Sequence, residues 1–160
     1  MEDFYKSLLT ALGTLITGII ITLISSRLSK NILLKITSRT HTQIDDYIAK
    51  SVIEVIKPLG FLISTSISCK LLPIDENIDY YIIALIKLIS LIIIVRLINK
   101  IFLKIIQKWG NQINDNSISS MLNSLRPMIR ATTWSIGFVF YFQNMGVQMT
   151  AIWALLSAGG

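Results

Sequence analysis

Long apolar stretches separated by short polar and basic segments dominate this chain. Four stretches are long enough to cross a bilayer as helices: Leu8–Ile24, Val52–Leu72, Tyr80–Leu97 and Met128–Met145. Each has about 17–21 residues, and a helix needs about 20 to cross the hydrocarbon core. The pattern therefore predicts an all-α membrane protein with four complete spans.

A fifth apolar run begins at Thr150 and continues to Gly160. Its residues would rise only about 16 Å as a helix, roughly half of a membrane. We therefore expect the chain to be a fragment that stops inside a fifth span. The predicted segments are a first hairpin in residues 1–75, a second in 76–146, and the truncated start of a helix in 147–160.

The composition agrees with a surface that faces lipid. Hydrophobic residues make up 52% of the chain and charged residues 15%, whereas soluble domains carry about 25% charged residues. A single cysteine (Cys69) cannot form an internal disulfide, and a single histidine (His41) cannot build a multi-histidine metal site. The sequence contains no evident catalytic triad, glycine-rich phosphate loop or catalytic carboxylate pair. We therefore expect no enzyme activity, cofactor or metal.

The distribution of charge predicts an orientation. Basic residues between the first and second spans, including their ends, are Arg27, Lys30, Lys35, Arg39, Lys50 and Lys57. Those between the third and fourth spans are Arg96, Lys100, Lys104, Lys108, Arg126 and Arg130. Under the positive-inside rule, these loops lie in the cytoplasm and the N-terminus lies outside. Because the net charge of +6 is explained by topology, nucleic acid is not an expected partner.

The two predicted hairpins resemble each other when the sequence is shifted by 69 residues. The matching anchors are Arg27-Leu28 with Arg96-Leu97, Gln43-Ile44-Asp45-Asp46 with Gln112-Ile113-Asn114-Asp115, and Lys57-Pro58-Leu59 with Arg126-Pro127-Met128. Both copies run in the same direction. The pattern favours a parallel duplication of one hairpin over chance similarity between two helices rich in isoleucine, leucine and lysine. Such a duplication differs from the inverted repeats of many transporters.

Basic residues after the third span recur every four positions, with isoleucine and phenylalanine between them. This spacing predicts a basic amphipathic helix that meets the anionic headgroups of the inner leaflet. The candidates for headgroup contact are Lys30, Lys35, Arg96, Lys100, Lys104 and Lys108. Ordinary positive-inside flanking predicts the same residues without a specific lipid site.

Two other polar features have structural explanations. Lys87 is an intramembrane charge and thus a candidate functional residue. Its span contains no acidic residue, so snorkelling toward the outer interface is favoured. Asp45 and Asp46 follow Thr42, a pattern that favours a capping box at the start of the second span over a metal site or an acid–base pair.

The final segment is rich in small residues, unlike the four spans before it. Ala151, Ala154 and Ala158 fall on one helix face, and small residues let membrane helices approach closely. This face would suit either packing against copies of the same helix around an axis or packing against the hairpins of the chain itself.

These residues belong to a run that resembles a known family. The run Asn144-Met145-Gly146-Val147-Gln148, followed by Ala151-x-x-Ala154-Leu155-Leu156-x-Ala158-Gly159-Gly160, is similar to the start of the pore helix in small-conductance mechanosensitive (MscS-like) channels. The preceding Arg126-Pro127 span and the Gln43-Ile44-Asp45-Asp46 elbow are similar to the larger, multi-hairpin members.

The resemblance implies a homo-heptameric channel of a bacterial plasma membrane that opens under membrane tension and protects against osmotic downshock. The hairpins would be paddles that face lipid, and the pore-lining candidates would be Ala151, Ala154, Ala158, Gly159 and Gly160. The expected partners are anionic lipid headgroups and copies of the same chain. The alternatives are a non-channel membrane scaffold or assembly subunit and, less favoured, a transporter, which should show more polar residues or broken helices near mid-membrane.

Overall fold

The computed structural model describes residues 2–37, 43–112 and 116–148, together with residues 150, 154, 157 and 158. The regular structure of these ranges consists of four long helices: α1 (Glu2–Thr37), α2 (Gln43–Cys69), α3 (Glu76–Gln112) and α4 (Asn116–Asn144). The predicted all-α fold is confirmed. The chain divides into two compact units, Met1–Ile101 and Phe102–Gly160, and α3 extends from the first into the second.

The helices begin and end where their sequences favour it. Asp75 precedes α3, and its carboxylate oxygen Oδ1 accepts a hydrogen bond from the backbone N–H of Asn77 at 2.9 Å, as an N-cap residue does. Asp45 and Asp46 occupy the first turn of α2, where negative charge complements the helix dipole. Thr42, the other half of the predicted capping box, lies outside the described residues.

Within the part of the chain that the structure describes, three helices are long and apolar enough to span a membrane: Glu2–Thr37, Ile44–Cys69 and Glu76–Gly110. They contain or largely overlap the first three predicted spans and indicate an integral membrane protein. The predicted fourth span, Met128–Met145, coincides with most of α4, which is not one of the three. Arg130 and several threonine and serine residues interrupt the apolar stretch there.

The interior of the first unit is made mainly of small residues. Its buried residues are Ala11, Ser26, Thr37, Ala49, Ser51, Ser64, Ser68, Ile86, Val95 and Asn99. Large apolar side chains lie outside instead: Leu9 is 75% exposed and Ile21 is 63% exposed. A soluble protein would bury its isoleucine and leucine side chains. The arrangement suits a protein whose outer surface is solvated by lipid, because small residues then provide the close helix contacts.

Helices α1, α2 and α3 run alternately up and down within the first unit. Ala11 of α1 lies beside Ser68 of α2, while Gly18 lies beside Ser64, so residue numbers rise along one helix as they fall along the other. Glu54 of α2 pairs with Lys100 of α3, and Pro58 shares a groove with Ile93, which gives the same antiparallel relation. Helices α1 and α2 thus form an antiparallel helical hairpin.

Candidate functional site

Two runs of small residues at four-residue spacing face each other between α1 and α2. Because four residues make about one helical turn, each run lies on one face of its helix. We call these positions, with Ala11, the small-residue interface; its members are Gly18, Thr22 and Ser26 on α1 and Gly60, Ser64 and Ser68 on α2. Such small-x-x-x-small patterns bring membrane helices into close contact.

Glycine is required at two positions of the small-residue interface. A Cβ atom added at Gly18 would lie 2.5 Å from the Oγ of Ser64 and 2.7 Å from its Cβ. A Cβ atom added at Gly60 would collide with Cγ2 of Thr22 and lie 2.7 Å from its Oγ1. By contrast, a Cβ atom at Gly13 would meet no described atom within 4 Å. With Ser64 and Thr22 in their present positions, residues 18 and 60 therefore have no room for a Cβ atom.

Three of the four hydroxyl groups of this interface, those of Thr22, Ser64 and Ser68, donate to backbone carbonyl oxygens. Thr22 Oγ1 donates to the carbonyl oxygen of Gly18 at 2.8 Å, and Ser64 Oγ donates to that of Gly60 at 2.8 Å, both within one helix. Ser68 Oγ donates across the interface to the carbonyl oxygen of Ala11 at 2.6 Å. Satisfied hydroxyls can lie in hydrocarbon without the cost of an unpaired polar group.

Removing the hydrogen bond between the two helices tests this geometry. We expect Ser68→Ala to lower the free energy of unfolding of the hairpin by about 0.6–1.7 kcal/mol, the range for hydrogen bonds between membrane helices. Dyes on cysteines introduced at the exposed Lys6 and Lys70, with Cys69 replaced by serine, would report helix separation by energy transfer. The measurement is a titration with sodium dodecyl sulfate in mixed micelles.

The matched control is Thr65→Ala on the same helix. The hydroxyl of Thr65 donates to the carbonyl oxygen of Phe61 at 2.9 Å, so its removal breaks no hydrogen bond between α2 and α1. Its effect should be smaller than that of Ser68→Ala. Equal effects of the two substitutions would show that the hydrogen bond from Ser68 does not stabilise the hairpin.

A basic flank follows the apolar parts of α1 and α3. Five of the six predicted headgroup contacts are exposed and one is half-buried: Lys30, Lys35, Arg96, Lys100 and Lys104 are exposed, and Lys108 is half-buried. The exposed side chains are accessible to lipid headgroups, so the structure is compatible with the prediction. Lys87 is likewise exposed on α3, and its snorkelling stays a prediction.

One of these lysines has a protein partner that the sequence pattern did not reveal. Lys100 Nζ lies 2.7 Å from Oε2 of Glu54 and 5.5 Å from the centroid of the Tyr47 ring. The two charged side chains are 41% and 64% exposed, so the ion pair stabilises the contact between α2 and α3 by no more than about 1 kcal/mol. The ion pair gives the carboxylate of Glu54 a partner on α3.

The segment after α4 begins with a glycine turn. Gly146 has a φ of 79°, a conformation that glycine adopts without strain. The N–H of Val147 donates to the carbonyl oxygen of Phe142 at 3.0 Å, and that of Gly146 donates to Gln143 at 3.1 Å. This pair of hydrogen bonds is a Schellman motif, which ends α4 at the glycine that the resemblance includes.

The pore-lining candidates are described only in part. Ala154 and Ala158 are helical and exposed, which leaves their small side chains available for contact with another helix. Ala151, Gly159 and Gly160 lie outside the described residues. Among the residues that the structure describes, no group of three or more histidine, cysteine, aspartate or glutamate side chains could hold a metal ion.

Comparison with known proteins assigns no family. No family model, curated protein or solved structure matches the chain. The geometry above therefore carries the functional argument, together with the resemblance of residues 144–160.

The small-residue interface is the main feature that the sequence analysis missed. Its signal was present, since Gly18-x-x-x-Thr22-x-x-x-Ser26 and Gly60-x-x-x-Ser64-x-x-x-Ser68 are regular patterns. The pairing of Glu54 with Lys100 had no comparable signal, because it depends on the register between two helices.

Proposed function

We propose that this chain forms the membrane-embedded sensor region of a mechanosensitive channel subunit, which opens a central pore under membrane tension. The observation that carries the proposal is the closely packed α1–α2 hairpin with large apolar side chains on its outer surface. Such a hairpin is a stiff element on which lipid acts directly. The resemblance of residues 144–160 to a pore-helix start supports the same function.

Tension sensing follows from elementary mechanics. Tension does work equal to its magnitude times the change in in-plane area, so it favours the state that occupies more membrane. An equilibrium between two packings of the same helices is shifted by that work as it would be by a ligand. Helices α1 and α2 pack closely at Gly18 and Gly60, where an added Cβ atom would have no room. Because of this packing the two helices move together, and the hairpin tilts when the bilayer thins. Its basic flank holds one end at the headgroup level.

The proposal includes the finer architecture. Helices α3 and α4 form the second hairpin, and a fifth helix that contains Ala151, Ala154, Ala158, Gly159 and Gly160 lines the pore. Seven copies surround the pore in a bacterial inner membrane, with the N-terminus outside and the basic loops in the cytoplasm. Anionic headgroups bind the basic flank, and the channel protects the cell during osmotic downshock.

Electrical recording under controlled tension tests this function. In patches from liposomes that carry the full-length protein, we expect suction to evoke discrete currents that vanish when the suction is released. Ala154→Trp should change the unitary conductance, because residue 154 lies on the small face. Leu156→Phe should leave it unchanged, because residue 156 points away from that face in the helical pattern.

Absence of current in stretched patches that contain inserted protein would contradict the channel function. The favoured alternative would then be a membrane scaffold or assembly subunit, for which a small-residue hairpin serves only as a stable support. Equal conductance changes in the two variants would contradict the assignment of the pore-lining face.

A further inference from the structure

An open groove of about 410 Å³ lies on the first unit, where α1, α2 and α3 meet. Its walls are mostly apolar and include Ile19 and Leu23 from α1, Phe61 and Leu62 from α2, and Ile89 and Ile93 from α3. The volume falls within the range of about 300–1,000 Å³ that is typical of small-molecule sites. Leu23, Phe61 and Ile89 are exposed, so the groove opens toward the surrounding medium.

Lys57 is the one charged residue that borders the groove, and it lies at one end. Thr22, the polar residue in the wall, donates its hydroxyl to the carbonyl oxygen of Gly18 and so has its proton engaged within α1. Glu54, one turn before Lys57 on the same helix, is paired with Lys100. The ammonium group of Lys57 therefore forms no ion pair within the described part of the chain.

The groove runs from Lys57 toward the middle of the apolar spans. Phe61 and Leu62 follow Lys57 on α2, and the antiparallel α3 leads from Ile93 to Ile89 in the same direction. A cation thus lies at the end nearer to the basic flank, above a wall of apolar side chains. A cation followed by apolar surface matches the order of groups in a phospholipid, whose phosphate lies above its acyl chains.

We propose that this groove binds one anionic phospholipid, with an acyl chain between α1, α2 and α3 and the headgroup phosphate on Lys57. The apolar medium of a bilayer consists of such chains, so an open groove at this depth is filled by lipid. The unpaired ammonium group adds a preference for anionic headgroups. The inference depends on membrane insertion alone and holds for a channel or a scaffold.

Photo-crosslinking with a labelled lipid tests the site. The chain is reconstituted in phosphatidylcholine vesicles that contain a minor fraction of phosphatidylglycerol with a diazirine on its acyl chain. After illumination, mass spectrometry of peptides locates and quantifies the adducts. We expect adducts concentrated on the groove residues of α1, α2 and α3. Unlabelled phosphatidylglycerol should compete better than phosphatidylcholine, and inorganic phosphate should not compete.

Two variants with matched controls separate the charge from the groove. Lys57→Gln should lower the adduct yield about fivefold, which corresponds to about 1 kcal/mol for one cation near the surface. Lys50→Gln, an exposed lysine of α2 outside the groove, should leave the yield unchanged. Ile89→Trp should lower the yield by filling the groove, whereas Ile94→Trp, an exposed position of α3 that does not line it, should not.

Several results would overturn the proposal. Adducts spread evenly over the exposed faces of α1, α2 and α3 would show general lipid contact without a site. Equal competition by phosphatidylcholine, or equal yields from the Lys57 and Lys50 variants, would show that Lys57 does not bind the headgroup. Competition by inorganic phosphate would indicate a simple anion site. None of these results depends on tension-activated current, so failure here is distinguishable from failure of the channel function.

Discussion

Gly18→Ala is expected to lower the free energy of unfolding of the α1–α2 hairpin by about 1–3 kcal/mol, the usual cost of overpacking a closely packed interior. The added Cβ atom would lie 2.7 Å from the Cβ of Ser64, which is fixed to the backbone of α2. No side-chain rotation relieves that contact, so the helices must separate. The energy-transfer titration described for Ser68 measures the change.

Two comparisons isolate the cause. Gly13→Ala lies on the same helix where a Cβ meets no described atom, so it should be neutral or slightly stabilising through helix propensity. Ser64→Gly should rescue Gly18→Ala, because it removes the Oγ and Cβ atoms and leaves the nearest Cα at 3.4 Å. A loss that is as large for Gly13→Ala, or that persists with Ser64→Gly, would contradict close packing at Gly18.

Ile20→Arg is expected to raise the free energy of membrane insertion of α1 by about 2.5–3.5 kcal/mol, the cost of a charge near the centre of a span. Ile20 is half exposed on the outer surface of α1, within its most apolar part, so its side chain faces lipid in an inserted helix. Insertion is measured in microsomes from the fraction of α1 that is glycosylated at engineered sites on each side.

Ile36→Arg provides the control for this substitution. Ile36 is also exposed, but it lies beside Lys35 in the last turn of α1, where an arginine reaches the headgroups. Its insertion cost should be near zero. Equal costs at the two positions would show that α1 does not place Ile20 in the hydrocarbon core.

The sequence predicted the helical class and the first three spans because hydrophobic length is a strong signal. It did not predict how far the helices continue. The stretch Leu8–Ile24 is the apolar part of a helix that extends to Thr37, and Tyr80–Leu97 is part of one that extends to Gln112. Lysine and arginine are good helix formers, so the basic flank continues each helix instead of ending it.

The contacts between helices were harder to predict from the sequence than the spans. A stripe of small residues indicates that a face packs closely, but not against which partner. The partner of Gly18 is Ser64, and the partner of Glu54 is Lys100, both set by the relative rotation and register of antiparallel helices. The groove around Lys57 arises from the same register, since its wall requires three helices at one depth.

The length of α1 has a geometric consequence. Its 36 residues rise about 54 Å, whereas the hydrocarbon core is about 30 Å thick. In a bilayer the helix must therefore lean strongly or project beyond the hydrocarbon core. If it projects at the C-terminal end, its last turns with Lys30 and Lys35 form the projecting part. When such a helix tilts as one body, its end moves farther than the parts near the pivot. A lean of about 10° would sweep a tip about 25 Å from the pivot through roughly 4 Å, which converts a small change in bilayer thickness into a displacement comparable to a helix radius.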